Sequence, residues 1–240
     1  MNLIVDIGNS STKIAVYNGG KKITDFRSKE FSFEKLEKTL AQYKIDRAIL
    51  SSVKETPDYI YDLLSVSIPF VHILTYKSKF PFKIEYETPE TLGTDRIAAV
   101  AGAHKLFPHI DLLVIDAGTA MTFDFMSGSI YKGGNISPGV VMRFKALNKF
   151  TNQLPLVSPT VNYSSPGQNT KDAIIAGVIT GVSYEINEYI RTFEKKHIEF
   201  KIILTGGDSK YLKDKIDFQV IYMPDIVTDG LNYILEYNAK

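Results

Sequence analysis

The sequence predicts a two-lobed α/β fold in which one unit, a mixed βββαβα sheet with flanking helices, is built twice. Three observations predict it. "LIVDIGNSSTK" at residues 3–13 ends an apolar run on an aspartate with a glycine two positions on, and "LLVIDAGTAMT" at residues 112–122 does the same. Aligning Asp6 with Asp116 matches Gly8 to Gly118, Asn9 to Thr119 and Thr12 to Thr122. Behind each turn, strand-like and helix-like segments follow in the same order, which at this repeat length indicates two related domains and not a solenoid.

The elements follow in turn. Residues 2–7 and 13–17 read as two strands around a polar turn, a hairpin closed by Gly19-Gly20, with a third strand near Ile23 to Arg27. "FEKLEKTLAQY" sets Phe33, Leu36, Leu40 and Tyr43 at helical spacing. "RAILSSV" is a short buried strand, "TPDYIYDLL" a helix with Thr56 as N-cap and Pro57 at its first position, and "FVHIL" another strand. "KFPFKIEYETPETLG" is rich in proline and aromatics without periodicity and reads as a loop. "TDRIAAVAGAHKLF" reads as a helix beginning near Thr94 or Asp95.

The pattern then restarts at Asp111. "LLVID" and "MTFDFM" are strands, and "SIYKGGNIS" is a turn and third strand. "SPGVVMRFKAL" is a helix with Ser137 as N-cap, and residues 151–170 form a polar loop. "TKDAIIAGVITGVSYEINEYIRTFEKK" is a long helix whose Gly177 and Gly181 share a face that permits close packing against a neighbour. "FKIILTGGD" is a strand running into a glycine turn, "FQVIYM" a last strand, and "VTDGLNYILEYN" a closing helix.

Composition narrows the function classes. The chain has 240 residues, enough for one large or two small domains with a proper core. A hydrophobic fraction of 44% with mean hydropathy −0.05 reads as globular. A net charge of +1 argues against a general nucleic-acid or membrane-surface role. With no cysteine there is no disulfide, thiolate metal site or thiol nucleophile. The histidines, His72, His104, His109 and His197, show no metal-site spacing. "MNLIVDIG" lacks the basic region and cleavage site of a signal peptide, so a cytoplasmic location is expected.

The two turns carry the chemistry. A carboxylate at a strand end stands at the mouth of a site, a glycine lets backbone approach phosphate, and small polar residues offer donors. Asp6 suits a hydrated Mg²⁺, which takes one or two carboxylates plus waters and phosphates, and Lys13 adds positive charge where it reaches the turn. For one turn alone the plainer reading, a hairpin with Asn-Ser-Ser turn residues and Asp6 as a capping group, stays open. The pair, with a third glycine turn at Thr205 to Asp208, favours a triphosphate held by one turn per lobe. Likewise "TDR" reads as helix capping by Thr94 and Asp95 with Arg96 solvated, or as a base beside a carboxylate-binding guanidinium. "KKITDFRSKEF" and "FEKKHIEFK" read as solvated faces.

These features resemble the acetate and sugar kinase, Hsp70 and actin superfamily, and within it the type III pantothenate kinases. "DIGNSSTK", "YETPETLGTDR", "VIDAGTAMTFD" and "YKGGNISPG" followed by "LPLV" are similar to that family's ordered motifs, with "NTKDAIIAG" and "TGGD" in the expected places. The resemblance implies a duplicated actin-like (ribonuclease H-like) fold with lobes 1–108 and 109–240, the closing helix Val227 to Tyr237 placed to pack back on the first lobe. It implies ATP-dependent phosphorylation of pantothenate. Asp6, Ile7, Gly8, Asn9, Ser10, Ser11, Thr12 and Lys13 would line the ATP phosphates, with Asp6 near a divalent metal and Thr119 also at ATP. Tyr86, Gly93, Thr94, Asp95 and Arg96 would contact pantothenate, with Asp95 the general base. Asp116 would bind a monovalent cation, K⁺ or NH₄⁺. Thr170 would reach the substrate from the partner subunit of a homodimer. Ala99 and Ala176 stand where the family often has Asn and Ser, which touches fine contacts more than reaction class. Two other readings remain: another small-molecule kinase of the superfamily, and a non-catalytic nucleotide-binding regulator.

Overall fold

The computed structural model describes residues 1–54 and 58–239; the expected cap at Thr56 and Pro57 lies outside the described residues. The chain divides into two units. One comprises Met1–Pro108, Ser129–Tyr131 and the chain from Asp225 on; the other comprises His109–Gly128 and Lys132–Pro224.

In the first unit, β1 (Asn2–Ile7), β2 (Thr12–Asn18) and β3 (Lys21–Ser28) form an antiparallel meander. After α1 (Phe33–Gln42) comes β4 (Arg47–Ser52), parallel to β1, and after α2 (Asp58–Ser67) comes β5 (Phe70–Ile73), parallel to β4. The sheet order is therefore β3-β2-β1-β4-β5, with β1 central. Buried on both faces, β1 is an apolar run broken only by Asn2 at its start and Asp6 at its penultimate position. Leu3, Val5, Ile14, Val16, Leu36, Leu50 and Leu64 fill the core between the sheet and α1 and α2.

β1 and β4 are also packed by α7 (Ile226–Asn238), which crosses α3 (Thr94–Leu106). The two helices approach backbone to backbone at two glycines. A Cβ on Gly230 would lie 1.8 Å from the Ala98 carbonyl oxygen, and one on Gly102 2.4 Å from that of Ile226. A mid-helix glycine costs about 1 kcal/mol against alanine, far less than a clash of that depth. Buried hydrogen bonds fix α7 in place. Asn2 Nδ2 donates to Asn232 Oδ1 at 2.8 Å, and the Tyr17 hydroxyl donates to Asp229 Oδ1 at 2.7 Å.

The stretch expected to be a loop between "FVHIL" and α3 contains β6 (Lys83–Ile84), parallel to Ile130 and Tyr131, and a 3₁₀ turn at Pro89–Thr91. Two residues carry no periodicity, and their partner lies far along the chain, so nothing local announced the strand.

The second unit repeats the strand plan. β7 (Asp111–Ala117) is central, antiparallel to β8 (Ala120–Ser127) and parallel to β10 (Phe200–Thr205), which is parallel to β11 (Ile221–Tyr222). With β9 (Ile130–Pro138) beside β8, the order β11-β10-β7-β8-β9 matches β5-β4-β1-β2-β3. α4 (Val140–Phe150) and α5 (Thr170–Glu194) cover one face, where Ile115, Phe123, Val140, Phe144, Ile175, Ile179, Ile186 and Leu204 make the core. A short α6 (Ser209–Leu212) follows β10.

Two expectations need correction here. Only Ile221–Tyr222 of "FQVIYM" pairs as a strand. Ser137 does not cap α4: β9 continues through Ser137 and Pro138, and Gly139 is the N-cap residue without a side-chain cap bond. The Asp208 carboxylate, from the turn after β10, instead accepts the backbone N–H groups of Val140 and Val141. A remote side chain thus does what a local serine was expected to do. The Gly177 and Gly181 face, expected to permit close packing, is open: a Cβ at either would meet nothing within 4 Å among the described residues.

Candidate functional site

Asp6 lies at the penultimate position of β1, in register with Lys13 of β2 and Ser51 of β4. It is 7% exposed, and its Oδ1 is buried without a hydrogen-bond partner. Burial raises its pKa from 3.8 to about 6. Lys13 works against that rise, Asp95 adds to it through like charge, and the Ser51 hydrogen bond and Arg27 oppose it. Beyond it the chain turns tightly. Gly8 N–H donates to the Ser11 carbonyl at 3.0 Å, and a Cβ on Gly8 would crowd that same oxygen. Asn9 and Ser10 are exposed at the tip, Ile7 and Thr12 are buried at the strand ends, and Ser11 and Lys13 are half-buried.

Two residues here escaped the sequence reading. Arg27 is exposed, as its solvated-face reading expects, but its contacts were not foreseen. It pairs across β2–β3 with Lys13, and its Nε donates to Ser11 Oγ at 3.0 Å. The turn therefore carries two cations. Ser51 hydrogen-bonds Asp6, and its Oγ lies 3.1 Å from Thr94 Oγ1 at the start of α3. A period-2 projection of the meander puts Lys13 and Arg27 on one face once the hairpin register is known; Ser51 gave no signal at all.

Thr94 is not the N-cap of α3. Gly93 occupies that place, and Thr94 uses its hydroxyl on Ser51 and the Ser52 carbonyl. Asp95 folds back over Gly93, where a Cβ would sit 2.5 Å from Asp95 Oδ1, and that oxygen accepts the Arg96 N–H at 2.8 Å. Arg96 is not solvated: it is 6% exposed, with its guanidinium carbon 5.9 Å from the centroid of the Tyr86 ring. Tyr86 in turn packs on Tyr131, centroids 6.2 Å apart. The first unit thus links Asp6, Ser51 and Thr94 in one chain of contacts leading to Asp95, Arg96 and Tyr86. Ala99 is buried one helical turn into α3.

Ser51→Ala should raise the Asp6 pKa further, since the Ser51 hydrogen bond lowers it. The acid limb of any activity that needs ionised Asp6 then moves to higher pH. A pH–rate profile checks this, and an unshifted acid limb removes Ser51 from the role.

In the second unit, Asp116 occupies the place of Asp6, in register with Thr122 and Thr205. The alignment of Thr12 with Thr122 needs correction. Four residues separate paired Ile7 from Thr12, but three separate Ala117 from Met121, so Thr122 stands opposite its aspartate where Lys13 does. The second turn lacks that lysine.

Three glycine turns interlock around Asp116. A Cβ on Gly206 would lie 2.4 Å from Asp116 Oδ1 and from the Ala117 carbonyl oxygen, and one on Gly139 2.1 Å from the Gly118 oxygen. Gly206 also has φ +94°, so glycine is required there twice over. Gly139 N–H donates to the Thr119 carbonyl at 3.1 Å, and Asp208 N–H to that of Ala117 at 2.9 Å. Thr170 is exposed at the first turn of α5. It lines a groove of about 990 Å³ with Arg143, Leu147, Leu154 and Ile174, and Ala176 is buried deeper in the same helix.

The donor set decides what could bind. Among the described residues no three His, Asp or Glu side chains gather as a metal centre. A lone buried carboxylate oxygen at Asp6, beside two cations and a glycine turn, fits a largely hydrated divalent ion carried by phosphates.

The model of the type III pantothenate kinase family matches residues 2–192. A type III pantothenate kinase of Phocaeicola vulgatus is 43% identical over 242 residues, covering 100% of both chains. One from Porphyromonas gingivalis is 43% identical over 244 residues, covering 99% of each. Among solved structures, a Campylobacter jejuni protein described as a Baf family transcriptional activator has TM-score 0.62 at 26% identity, covering 99% of this chain and 98% of its own. A Listeria monocytogenes protein described as an N-acetylmannosamine kinase has TM-score 0.58 at 12% identity, covering 100% and 99%. That second likeness shows the fold, a duplicated actin-like one.

Proposed function

The chain belongs to the type III pantothenate kinase family, and from that premise we propose that it transfers the γ-phosphoryl group of ATP to pantothenate. The products are ADP and 4′-phosphopantothenate, the first step toward coenzyme A. The observation that carries the reading is the continuous link in the first unit from buried Asp6 through Ser51 and Thr94 to Asp95 and Arg96. It ties a phosphate-type turn to an acid and a guanidinium at one helix start.

The roles follow from chemistry. Residues Asp6 to Lys13 hold the ATP phosphates, and Thr119 is also assigned to ATP. Asp6 would hold a divalent ion through water, and such an ion would supply charge neutralisation for the transferring phosphoryl group. Arg96, stacked on Tyr86, binds the pantothenate carboxylate, a task for which a guanidinium is well shaped; Gly93 and Thr94 complete that contact. Asp95 accepts the proton of the attacking hydroxyl as its oxygen bonds to the γ-phosphorus and the bond to the ADP oxygen breaks. Asp116 holds a monovalent cation, K⁺ or NH₄⁺. One carboxylate set among backbone carbonyls suits a singly charged ion better than Mg²⁺, which demands near-ideal octahedral geometry.

The active form is a homodimer in which Thr170 contacts the partner's substrate. α4 and α5 support this, exposing Val141, Met142, Phe150 and Tyr184 beside the bare Gly177–Gly181 stripe. The lobes are 1–108 and 109–240 by sequence repeat, with the closing helix contributed to the first. No helix among the described residues is long and apolar enough to cross a membrane, and the protein works in the cytoplasm without nucleic acid.

A coupled ADP-release assay with pantothenate, run in Na⁺, K⁺ or NH₄⁺, tests the reading. ADP release with pantothenate that needs K⁺ or NH₄⁺ supports it; phosphorylation of a sugar in place of pantothenate, or of neither, sinks it. Thr170→Ala should raise KM for pantothenate more than KM for ATP, and the reverse order contradicts the dimer assignment.

A further inference from the structure

We propose that Arg143 is a positioning residue for the Gly118–Thr119 turn. The proposal rests on the kinase reading for the reaction it is measured in, but its binding arm stands without it.

Arg143 lies in the first turn of α4. Its Nε donates to the Pro138 carbonyl at 2.9 Å, one terminal nitrogen donates to Ser137 Oγ at 2.8 Å, and the same nitrogen pairs with Glu185 of α5. It therefore grips the last two residues of β9. The next residue, Gly139, touches the Gly118–Thr119 turn with backbone alone, donating to the Thr119 carbonyl at 3.1 Å. No side chain can be inserted there, since a Cβ would sit 2.1 Å from the Gly118 oxygen and 2.5 Å from that of Thr119.

The opposite side of this junction is fixed by Asp208. Its carboxylate accepts the Val140 and Val141 N–H groups, and its own N–H donates to the Ala117 carbonyl at 2.9 Å. The turn is thus caught between two holders that both end at the start of α4. Asp208 acts on the residues after Gly139, and Arg143 on those before it. Releasing Pro138 leaves Gly139 located from one side only.

Two features separate this from ordinary packing. Arg143 spends two of its bonds, to the Pro138 carbonyl and Ser137 Oγ, on the residues just before Gly139, and only one on Glu185. Its charge is also matched by Glu185, so it acts through the peptide geometry of residues 137–139 and not as a phosphate ligand. Sequence position gave no hint, because Arg143 reads as one more polar residue of an amphipathic helix.

The test measures MgADP binding by calorimetry and, in the coupled assay, separate KM values. Arg143→Ala should weaken MgADP binding and raise KM for ATP by about tenfold, as expected for losing charged hydrogen bonds. KM for pantothenate should stay near the parent value, and the unfolding temperature should fall only by what the lost bonds themselves cost. Glu185→Gln should add nothing to the Arg143→Ala variant, and Arg143→Lys should recover part of the loss. Unchanged nucleotide binding overturns the proposal. So does a parallel rise in both KM values with a lower unfolding temperature, which marks a structural role. A parent protein that binds MgADP but leaves pantothenate unphosphorylated defeats the kinase reading alone, and Arg143→Ala still decides this one by its MgADP affinity.

Discussion

Asp95→Asn should bind MgATP and pantothenate about as well as the parent and lose at least about 10²-fold in kcat, the scale set by removal of a general base. Asparagine keeps the shape and the Oδ1 acceptor that receives the Arg96 N–H. The backbone at the start of α3 and the Arg96 side chain behind it should therefore stay in place. The amide cannot take the hydroxyl proton, so the loss falls on the chemical step. A second consequence separates this variant from a disordered one. Asp95 raises the Asp6 pKa through like charge; removing that charge lets Asp6 ionise at lower pH, and nucleotide binding should extend slightly further toward acid. Single-turnover kinetics with calorimetric MgATP binding measure both effects. A kcat near the parent value removes Asp95 from the role, and loss of both substrates shows that α3 has moved.

The parts of this site that were legible in the sequence share one property: they are signalled within a few residues. The acid-glycine turns after β1 and β7, the start of α3 and the strand order all came from local pattern. What escaped depends on register or on a distant partner. Thr122 was matched to Thr12 because a sequence offset ignores loop length; one residue fewer in the second hairpin puts Thr122 opposite its aspartate. That single deletion makes the two turns chemically unlike, with a lysine facing Asp6 and a threonine facing Asp116. Arg27 is the surface charge it was read as, but its place beside Lys13 and Ser11 is set across a strand pair and was not legible. Asp208 was seen as the end of a glycine turn, while its function, capping α4, is set by residues nearly seventy positions earlier. Ser51 sits in an apolar strand with no local pattern around it, and only the parallel pairing of β4 with β1 gives it Asp6 as a partner.

Asp6→Asn should abolish nearly all turnover and yet stabilise the ligand-free protein above neutral pH. The first half follows from losing the carboxylate assigned to the divalent ion; electrostatic groups of this kind are worth about 10²-fold or more. The second half follows from linkage. The carboxyl of Asp6 has a pKa of about 6 in the folded chain against 3.8 ordinarily, because burial disfavours its charge. The folded state therefore holds this proton more tightly than the unfolded state. Below about pH 4 both states are protonated and Asp6 carries no penalty. As pH rises from 4 through 6 the unfolded chain ionises first, stability is lost, and above pH 6 the loss levels off at about 3 kcal/mol, from roughly two pKa units at 1.36 kcal/mol each. Asparagine has no such penalty. The variant's unfolding temperature should exceed the parent's by several degrees at pH 8, with the gap closing toward pH 4. MgATP reverses the order at pH 8, since only the parent gains from binding. Thermal unfolding across pH, with and without MgATP, reads all of this. A variant less stable than the parent at pH 8, or a gap independent of pH, would show that the buried oxygen of Asp6 is satisfied within the fold and is not held in reserve for a cation.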